Sequence, residues 1–412
     1  MLGCSKFFTT LFFCVKEVDF SPGSLRFTCT ARNRMLVNFF FFLGMNHEKM
    51  NTQPGAISVT ISQQKAQGPK VAEFERAVAD YVGTKYAVAF CNGTAALHSA
   101  CYAAGVGVGD EVITSPITFA ASANCVRYVG GTVVFADIDE ETYNIDPAKI
   151  RTKITNKTKA IIPVDFTGQP VDIDGIMAIA KKNNLVVIED GAHSLGATYK
   201  GRKVGQTADM TMFSFHPVKP VTTAEGGIIV TNNEEYYKKM LQLRSHGIEQ
   251  VPYSQEKGGW YYEMKDLGYN YRMTELQAAL GVSQMKKLDG FIKRRQQIAI
   301  TYTEALKDVE GIVVPKQLAN TTSGWHLYMV QLKHANRKKV FNAMRAANIG
   351  VHVHYIPVYW HPYYQDLGYK RGLCPIAEEW CEKALTLPIH PGLTDENISF
   401  IIKSLVNNSN LI

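Results

Sequence analysis

Apolar positions recur at two spacings along most of the chain. From Pro69 they follow helical spacing through Val71, Phe74 and Val78, and Gly83 then ends the pattern. Beyond it, short apolar runs of strand length alternate with further helical stretches. The predicted strands cover residues 86–90, 111–115, 132–136, 160–164, 185–188 and 227–231, and the predicted helices cover residues 94–104, 173–183 and 234–244. Strands that alternate with helices predict an α/β domain with a mostly parallel sheet.

The pattern changes to a smaller α+β unit from Gly311 onward. Its predicted elements are strands at 325–332 and 351–355, a helix at 337–347 and a closing helix within 388–405. Between the two parts, a long helical pattern begins a few residues after Asn270 and continues to Leu306. The chain is therefore expected to form one large α/β part and one smaller part.

One lysine lies in a turn-rich loop between two predicted strands. The stretch TMFSFHPVKPVTTAEGGIIVTN covers residues 211–232, and in it Lys219 lies between Pro217 and Pro220. Each proline fixes its own φ and restricts the residue before it, so the loop is stiff. A lysine held this way, beside hydroxyl groups such as that of Ser214, suits a Schiff base with an aldehyde. From this stretch alone, a surface loop whose lysine only adds charge remains an alternative.

A carboxylate and a histidine follow the apolar run at 185–188. In a parallel sheet, functional groups collect at the carboxyl ends of the strands, and Asp190 and His193 come at such an end. An aspartate that emerges from an apolar strand keeps its charge only when a partner stabilises it, and a protonated pyridine nitrogen is such a partner. The simpler interpretation is a helix cap for Asp190 and an ordinary hydrogen-bonded polar group for His193.

These features, with a glycine junction after the first strand, meet the needs of one cofactor. Free backbone N–H groups at Gly93 and Thr94, at the start of a helix, form a candidate phosphate seat, although a tight turn would have the same sequence. Pyridoxal phosphate needs such a seat, a lysine for its aldehyde and a carboxylate for its pyridine nitrogen. Lys219 and Asp190 supply the other two groups, and Phe119 could stack on the ring. The whole set carries this prediction, because each residue alone has an ordinary structural explanation.

Composition and charge exclude some other functions. The 412 residues are 46% hydrophobic and 20% charged, which is ordinary for a globular enzyme. Of the net charge of +7, residues 1–45 contribute +3, and the remaining +4 is spread without a basic run. No nucleic-acid partner is therefore expected. The eight cysteines show no metal-binding spacing, so we expect no metal site and thiols in a reducing cytoplasm.

The start of the chain differs from the rest. Residues 1–45 contain ten of the twenty phenylalanines, and the apolar run at 35–45 is too short to span a bilayer, which takes roughly 20 residues. No membrane attachment is expected. We interpret residues 1–67 as an atypical N-terminal extension that is non-native or disordered.

Long, ordered motifs over residues 68–412 resemble the DegT/DnrJ/EryC1/StrS family of sugar aminotransferases. The matching motifs are GPKVAEFE (68–75), GTAALH (93–98), SPITFAAS (115–122), EDGAHSLGA (189–197), FSFHPVKPVTTAEGG (213–227), RSHGI (244–248) and YNYRMTELQAALG (269–281). The resemblance implies a fold-type I pyridoxal phosphate enzyme, with a mostly parallel mixed sheet sandwiched by helices. It also implies a large cofactor-binding domain at 68–290 and a small C-terminal α+β domain at 291–412 that includes a linking helix.

The resemblance also implies roles for single residues around the cofactor. Lys219 would bind the aldehyde and then move a proton, Asp190 would pair with the pyridine nitrogen, and His193 would lie near the ring hydroxyl. Further implied contacts are stacking by Phe119, phosphate binding by Gly93, Thr94 and Ser214, and a phosphate contact from Asn270 of a neighbouring subunit. The last contact implies a homodimer with shared active sites.

The substrates follow from a resemblance to one branch of the family. The segments HVHYIPVYWHPYY (352–364) and ALTLPIHPGLTD (384–395) resemble the branch of pseudaminic acid biosynthesis. L-Glutamate would donate an amino group to C4 of a UDP-linked 4-keto-6-deoxy-N-acetylhexosamine, with His326, His354 and Tyr355 on the sugar side.

Several other functions remain possible at this stage. One is transfer to a GDP- or dTDP-linked sugar, as in perosamine synthesis, and another is a non-catalytic member of the family. A sugar 3-dehydrase is disfavoured because it has histidine where Lys219 stands. A desulfurase needs a mobile cysteine, and Cys374 fits a helix start better.

Overall fold

A computed structural model describes residues 18–21, 24–27, 68–249 and 254–409. The chain divides into two units, residues 1–60 and residues 61–412. In the first unit the described residues form two short antiparallel strands. Otherwise the atypical extension predicted for residues 1–67 lies outside the described residues.

The secondary structure alternates between strands and helices through the second unit. Numbered in chain order, the strands are β1 (Val18–Ser21), β2 (Ser24–Phe27), β3 (Tyr86–Phe90), β4 (Glu111–Thr114), β5 (Thr132–Phe135), β6 (Thr158–Ile162), β7 (Val186–Asp190), β8 (Thr198–Tyr199), β9 (Arg202–Lys203), β10 (Met210–Ser214), β11 (Gly227–Thr231), β12 (Ile248–Glu249), β13 (Glu263–Met264), β14 (Ile312–Val313), β15 (Thr321–Thr322), β16 (Tyr328–Leu332) and β17 (Ala384–Leu387). The helices are α1 (Pro69–Val82), α2 (Gly93–Ala103), α3 (Ala121–Tyr128), α4 (Pro147–Lys153), α5 (Ile173–Asn183), α6 (Glu234–Arg244), α7 (Ser254–Lys257), α8 (Glu275–Met285), α9 (Leu288–Leu306), α10 (Arg337–Ala346), α11 (Pro362–Asp366), α12 (Pro375–Lys383) and α13 (Asp395–Asn408).

A seven-stranded sheet forms the centre of the large part, in the order β3-β11-β10-β7-β6-β4-β5. Six strands run parallel, and β11 alone in this sheet runs antiparallel to both of its neighbours. The predicted mostly parallel mixed sheet is therefore confirmed. Because β11 returns antiparallel to β10, the loop between these two strands lies at the carboxyl ends of the parallel strands.

Helices cover both faces of this sheet, and the strand sequences show why. In β3, Val88 and Phe90 join a core with α2 and α3, whereas Ala87 and Ala89 join a core with α1 and α8. Successive strand residues point to opposite faces, so a strand buried on both faces must be apolar throughout. This explains the continuous apolar runs seen in the sequence.

A three-stranded antiparallel sheet, β14-β16-β17, forms the centre of the smaller part and packs with α9, α10 and α13. The predicted α+β unit is thus present. Tyr359 and Trp380 from this part of the chain belong to the same core as Phe135 of the main sheet. The boundary between residues 290 and 291 stays a prediction, and α9 runs across it.

Two stretches with a weak local signal differ in the structure from what the sequence predicts. Residues 351–355 form no strand, because their ladder is a single bridge between His352 and Thr386. Helix α4 lies in a polar stretch for which no element was predicted. Asp146 caps this helix, and Ile150 is its only buried residue, so it carries almost no amphipathic pattern. No helix among the described residues has the length and apolar character that a membrane span requires.

A buried ion pair fixes the start of the large part against the main sheet. Glu75 on α1 accepts hydrogen bonds from the backbone N–H of Ala89, at 2.8 Å, and from Arg244, at 2.6 Å. Arg244 also donates to the carbonyl of Ala89. One carboxylate thus connects α1, β3 and the end of α6.

Glu75→Gln is expected to destabilise the fold by about 3 kcal/mol, because it removes the negative charge that faces the buried Arg244 guanidinium. Glu73→Gln is the matched control, since Glu73 forms only an exposed pair with Lys70 on the same helix. Urea unfolding followed by circular dichroism measures both changes. Equal effects of the two variants would contradict the assignment.

Candidate active site

The order of strands in the main sheet brings distant parts of the chain to one edge. Strand β11 pairs with β3 on one side, where Gly227 lies opposite Phe90. On its other side it pairs with β10, where Gly227 lies opposite Ser214. Strand β7 pairs with the far side of β10 and ends at Asp190. The ends of β3, β10 and β7 therefore meet next to the loop that carries Lys219.

Gly227 permits the closest contact at this edge. A Cβ atom at this position would lie 2.5 Å from the carbonyl oxygen of Asn92 and 2.6 Å from Cα of Gly93. No side chain fits at such distances, so glycine is required for β11 to pass the start of α2. A Cβ atom on Gly93 would in turn lie 3.6 Å from Cβ of Ser214. The serine thus lies beside the N-terminus of the helix.

The N-terminus of α2 offers hydrogen-bond donors to the cavity. The side chain of Asn92 caps the helix by accepting from the backbone N–H of Ala95 at 2.8 Å. Among the described residues, the backbone N–H groups of Gly93 and Thr94 have no hydrogen-bond acceptor. Free N–H groups at the positive end of a helix dipole, with the Ser214 hydroxyl beside them, can bind a phosphate.

Asp190 places a buried carboxylate in the wall of the same cavity. Its Oδ2 accepts from the Ser122 hydroxyl at 2.6 Å, and its Oδ1 accepts from the backbone N–H of Ala192 at 3.1 Å. It forms no ion pair with any residue in the described part of the chain. Burial raises the pKa of the carboxyl, while these hydrogen bonds and the charge of Lys219 oppose the rise. A cation with an N–H donor would complete this environment.

Lys219 is half-buried in a loop held by its own backbone hydrogen bonds. Its N–H donates to the carbonyl of His216, and the N–H of Phe215 donates to the carbonyl of Gly226, which closes the loop at its base. Burial lowers the pKa of the Lys219 amine to about 8, and the nearby charge of Asp190 limits the decrease. A substantial fraction of this amine is therefore neutral and nucleophilic near pH 7.

Three side-chain rings follow one another in space from the Lys219 amine: those of His326, His193 and Tyr355. Nε2 of His326 lies 3.4 Å from Nζ of Lys219, and the ring centroids of His326 and His193 are 4.4 Å apart. Nε2 of His193 lies 3.5 Å from the hydroxyl of Tyr355. Burial, together with the charge of Lys219, holds the pKa of each of these two histidines well below its usual value. In each ring, Nδ1 is buried and has no hydrogen-bond partner among the described residues.

Two further aromatic side chains complete the cavity wall. The imidazole of His354 shares a hydrogen bond with the Thr386 hydroxyl at 3.0 Å, and burial lowers its pKa to about 4. The ring of Phe119 is 62% exposed, and its centroid lies 6.2 Å from that of Tyr355. An exposed apolar ring at a cavity mouth is available to stack on a planar ligand.

The structure brings together nearly all of the residues predicted from the sequence. They line one cavity of about 2270 Å³: Gly93, Thr94, Phe119, Asp190, His193, Ser214, Lys219, His326, His354 and Tyr355. Asn270 does not line this cavity, and its backbone instead pairs with Ser245. Its predicted position in the site of a neighbouring subunit stays a prediction. No group of metal-ligating side chains occurs among the described residues, and the five described cysteines are free thiols.

Sequence reasoning missed two supporting residues. Ser122 donates to Asp190, and Asn92 orders the N-terminus of α2. Asn92 had a local signal, since asparagine before a helix is a preferred cap. Ser122 had none, because it lies 68 positions from Asp190 along the chain.

The donor set of the cavity fits pyridoxal phosphate. Asp190 is a buried acceptor that has no ion-pair partner among the described residues and suits a protonated pyridine nitrogen, and the start of α2 with Ser214 offers donors for a phosphate. Lys219 offers an amine of lowered pKa for the aldehyde. The three groups differ in chemistry, and each faces the same cavity.

Comparison with known proteins agrees with this geometry. The model of the DegT/DnrJ/EryC1/StrS aminotransferase family matches residues 47–406 and thus begins earlier than residue 68, where the resemblance was expected to start. Spore coat polysaccharide biosynthesis protein SpsC of Bacillus subtilis is 42% identical over 82% of this chain and 90% of its own length. GDP-perosamine synthase of Caulobacter vibrioides is 39% identical, with 82% and 90% covered. UDP-4-amino-4,6-dideoxy-N-acetyl-β-L-altrosamine transaminase of Campylobacter jejuni is 38% identical, with 82% and 89% covered.

Solved structures show the same fold. Helicobacter pylori PseC, an aminotransferase involved in the biosynthesis of pseudaminic acid, superposes with a TM-score of 0.78 at 34% identity, over 84% of this chain and 93% of PseC. The sugar aminotransferase Spr1654 of Streptococcus pneumoniae, in its pyridoxal phosphate form, gives a TM-score of 0.79 at 32% identity, with 84% and 93% covered. This chain therefore belongs to the DegT/DnrJ/EryC1/StrS aminotransferase family, and it is a fold-type I enzyme that depends on pyridoxal phosphate.

Proposed function

We propose that this protein transfers the amino group of L-glutamate to C4 of a UDP-linked 4-keto-6-deoxy-N-acetylhexosamine. The observation that carries the proposal is the single cavity that joins Lys219, Asp190 and the start of α2 to the histidines of the smaller part. Similarity to the Campylobacter transaminase and to PseC supports this choice of sugar. Family membership by itself supports only a nucleotide sugar and an amino donor.

Pyridoxal phosphate, when bound, supplies a ring that accepts the electrons left on a carbon when its proton departs. In this proposal the Asp190 carboxylate holds the ring nitrogen in its protonated form. The backbone N–H groups of Gly93 and Thr94, with the Ser214 hydroxyl, bind the phosphate. Phe119 would stack on the ring, and His193 would lie near its hydroxyl group. Together these residues would hold the cofactor in the cavity that Lys219 also lines.

The Lys219 amine has two tasks in the proposal. Its amine would hold the aldehyde of the cofactor, and it would also act as the base that moves a proton from the α-carbon of the amino donor. Both tasks need the neutral amine. With a pKa of about 8, about a tenth of the amine is neutral at pH 7, compared with less than about a thousandth for an ordinary lysine. Burial thus makes the lysine a competent base.

The size and lining of the cavity suit a nucleotide sugar. Its volume of about 2270 Å³ exceeds the roughly 300–1,000 Å³ of a typical small-molecule site. The histidines on the sugar side are neutral at pH 7 because their pKa values are lowered. We assign His326, His354 and Tyr355 to this side as sources of uncharged hydrogen bonds, which suit sugar hydroxyl and carbonyl groups.

A second subunit completes the site in this proposal. Asn270 lies outside its own cavity, and an exposed apolar strip precedes it along the chain. The strip consists of side chains that are each more than half exposed: Trp260, Tyr262, Met264 and Leu267. Exposed apolar side chains in one segment are typical of an interface. We propose a homodimer in which Asn270 of each subunit reaches the phosphate bound by the other.

A GDP-linked sugar is the second candidate substrate. GDP-perosamine synthase is 39% identical to this chain, which is no lower than the 38% of the UDP-sugar enzyme. Identity therefore does not discriminate between the two nucleotides, and a direct substrate comparison is needed.

Lys219→Ala is expected to abolish both the visible absorbance of bound cofactor and its loss on addition of L-glutamate, because no amine remains to bind the aldehyde. Lys239→Ala is the control, since Lys239 forms only an exposed ion pair with Glu235. Absorbance spectra before and after glutamate give the measurement. A wild-type protein that binds no cofactor, or a visible band that persists in Lys219→Ala, would overturn the assignment of Lys219.

The UDP-linked keto sugar is expected to give a kcat/KM at least about 100-fold above that of the GDP-linked 4-keto-6-deoxy sugar, the discrimination expected when several buried polar contacts are lost. His354→Ala should raise KM for the sugar by about tenfold, the cost of one hydrogen bond, and leave the glutamate half of the reaction unchanged. Product analysis by NMR reports whether C4 carries the amine. Preference for the GDP sugar would select the second candidate.

Mixing Lys219→Ala with Asn270→Ala is expected to restore activity that neither variant has alone. A mixed dimer contains one site with both a native lysine and a native asparagine. After random exchange of equal amounts, half of the dimers are mixed, so the activity of the mixture approaches a quarter of that of the same amount of wild-type protein. Activity after co-refolding or co-expression measures this recovery. Independent subunits would show no recovery above the sum of the two variants.

A further inference from the structure

The contact between Lys219 and His326 joins the lysine loop to the segment before β16. Nζ of Lys219 lies 3.4 Å from Nε2 of His326, and the two residues are 107 positions apart in the sequence. In the described part of the chain, His326 is the hydrogen-bond partner found for this amine, and no carboxylate lies within ion-pair distance of it. The contact therefore decides how the amine is oriented when no ligand holds it.

The chemistry of the two groups fixes the direction of this hydrogen bond. An ammonium group has three donors and no acceptor, so Nε2 of His326 must be the acceptor while Lys219 is charged. The ring proton then resides on Nδ1, which is buried and has no partner among the described residues. When Lys219 loses one proton, its remaining N–H groups can keep the same hydrogen bond. The nitrogen lone pair then points away from His326.

The surroundings keep His326 neutral and thus able to accept. Burial is the largest cause of its lowered pKa, and the charges of Lys219 and Arg295 add to it. The other titratable groups that face the pair are His193 and His354, whose pKa values are also lowered, and Asp190, whose charge favours the ammonium form of the lysine. No group in this set stabilises an imidazolium at position 326 as strongly as burial opposes it.

The backbone around His326 is held from two sides. Nη1 of Arg295 donates to the carbonyl oxygens of Trp325, at 3.1 Å, and His326, at 3.4 Å. On the other side, the N–H of Leu327 donates to the carbonyl of Thr167 at 3.1 Å. Gly168, which follows Thr167 in the chain, has a φ of +105°. A Cβ atom on Gly168 would lie 2.8 Å from the backbone nitrogen of Trp325. A turn that requires glycine thus packs directly against the backbone beside His326 and helps to hold it in place.

We infer that His326 is a positioning residue for Lys219: its neutral imidazole accepts a hydrogen bond from the Lys219 amine and directs the nitrogen lone pair toward the reacting carbon. This rests on the proposed function of Lys219 as the cofactor-binding lysine. It gives His326 a task that differs from binding the sugar. A residue that only touched the sugar would leave the acid–base behaviour of the lysine unchanged.

The test compares how fast full-length protein, stripped of cofactor, captures pyridoxal phosphate between pH 6 and 10. Capture needs the neutral amine, so the wild-type rate rises about tenfold for each pH unit below the lysine pKa of about 8 and levels off above it. His326→Leu removes the acceptor that stabilises the ammonium form, so the midpoint moves down by about one pH unit. Capture at pH 7 then becomes about fivefold faster.

Turnover with L-glutamate is expected to change in the opposite direction. In His326→Leu the lone pair is no longer directed, so the rate of proton removal from the donor α-carbon falls by about tenfold or more. His326→Gln, whose side-chain oxygen can accept, restores most of both values. His334→Leu is the matched control, because His334 is an exposed histidine that does not line the cavity and forms no hydrogen bond with Lys219.

Opposite changes in capture and turnover, with rescue by glutamine, support the inference. It is overturned if His326→Leu leaves the capture midpoint unchanged, or if leucine and glutamine shift it equally. A structural defect would slow both reactions together. If the wild-type protein captures no cofactor, the proposed function of Lys219 fails, and this inference fails with it.

A second measurement covers the case in which His326→Leu does not fold. In wild-type protein labelled with ¹⁵N-histidine, the His326 resonances are assigned with His326→Gln. At pH 7, Nε2 should show the chemical shift of an unprotonated nitrogen and should respond near pH 8, as Lys219 titrates. A protonated Nε2, or the same response in Lys219→Met, overturns the inference.

Discussion

The separation of two opposite charges in a buried cavity is the constraint on which the site depends. Asp190 and Lys219 attract each other, yet no hydrogen bond joins them, because each is held by its own element and its own neighbours. A direct ion pair would satisfy both groups and leave no free amine and no acceptor for a pyridine nitrogen. Ser122 and the Ala192 N–H hold the carboxylate, and the closed loop holds the lysine. The fold thus keeps two groups reactive that would otherwise neutralise each other.

The antiparallel strand β11 makes this separation possible. It lies between β3 and β10, so the helix N-terminus after β3 and the loop after β10 are neighbours although more than a hundred residues separate them. The close passage of Gly227 beside Asn92 and Gly93 brings the N-terminus of α2 next to the lysine loop. A parallel strand at this position would carry its loop to the opposite edge of the sheet.

Neutral imidazoles dominate the other wall of the cavity. Burial keeps His193, His326 and His354 uncharged near pH 7, so this wall can orient groups without adding charge. Such a wall preserves the balance between the carboxylate and the amine, since an imidazolium there would lower the pKa of the lysine further and compete for the aspartate. His326 and His354 of this wall belong to the smaller part of the chain, which therefore lines the same cavity as Lys219 and Asp190.

The sequence alone determined the features that depend on residues close together in the chain. Alternating strands and helices predicted the mixed sheet, a proline-flanked lysine and a strand-end aspartate predicted the cofactor groups, and long motifs predicted the family. Single side chains such as Lys219 and Asp190 could be named because each sits in a recognisable local pattern. The tertiary structure alone decided which distant groups touch: Ser122 with Asp190, and His326 with Lys219. Such contacts arise from strand pairing and from packing between segments, which leave no periodic signal along the chain. For the same reason residues 351–355 were wrongly predicted as a strand, since the alternating pattern VHVHY does not show whether a partner strand is present.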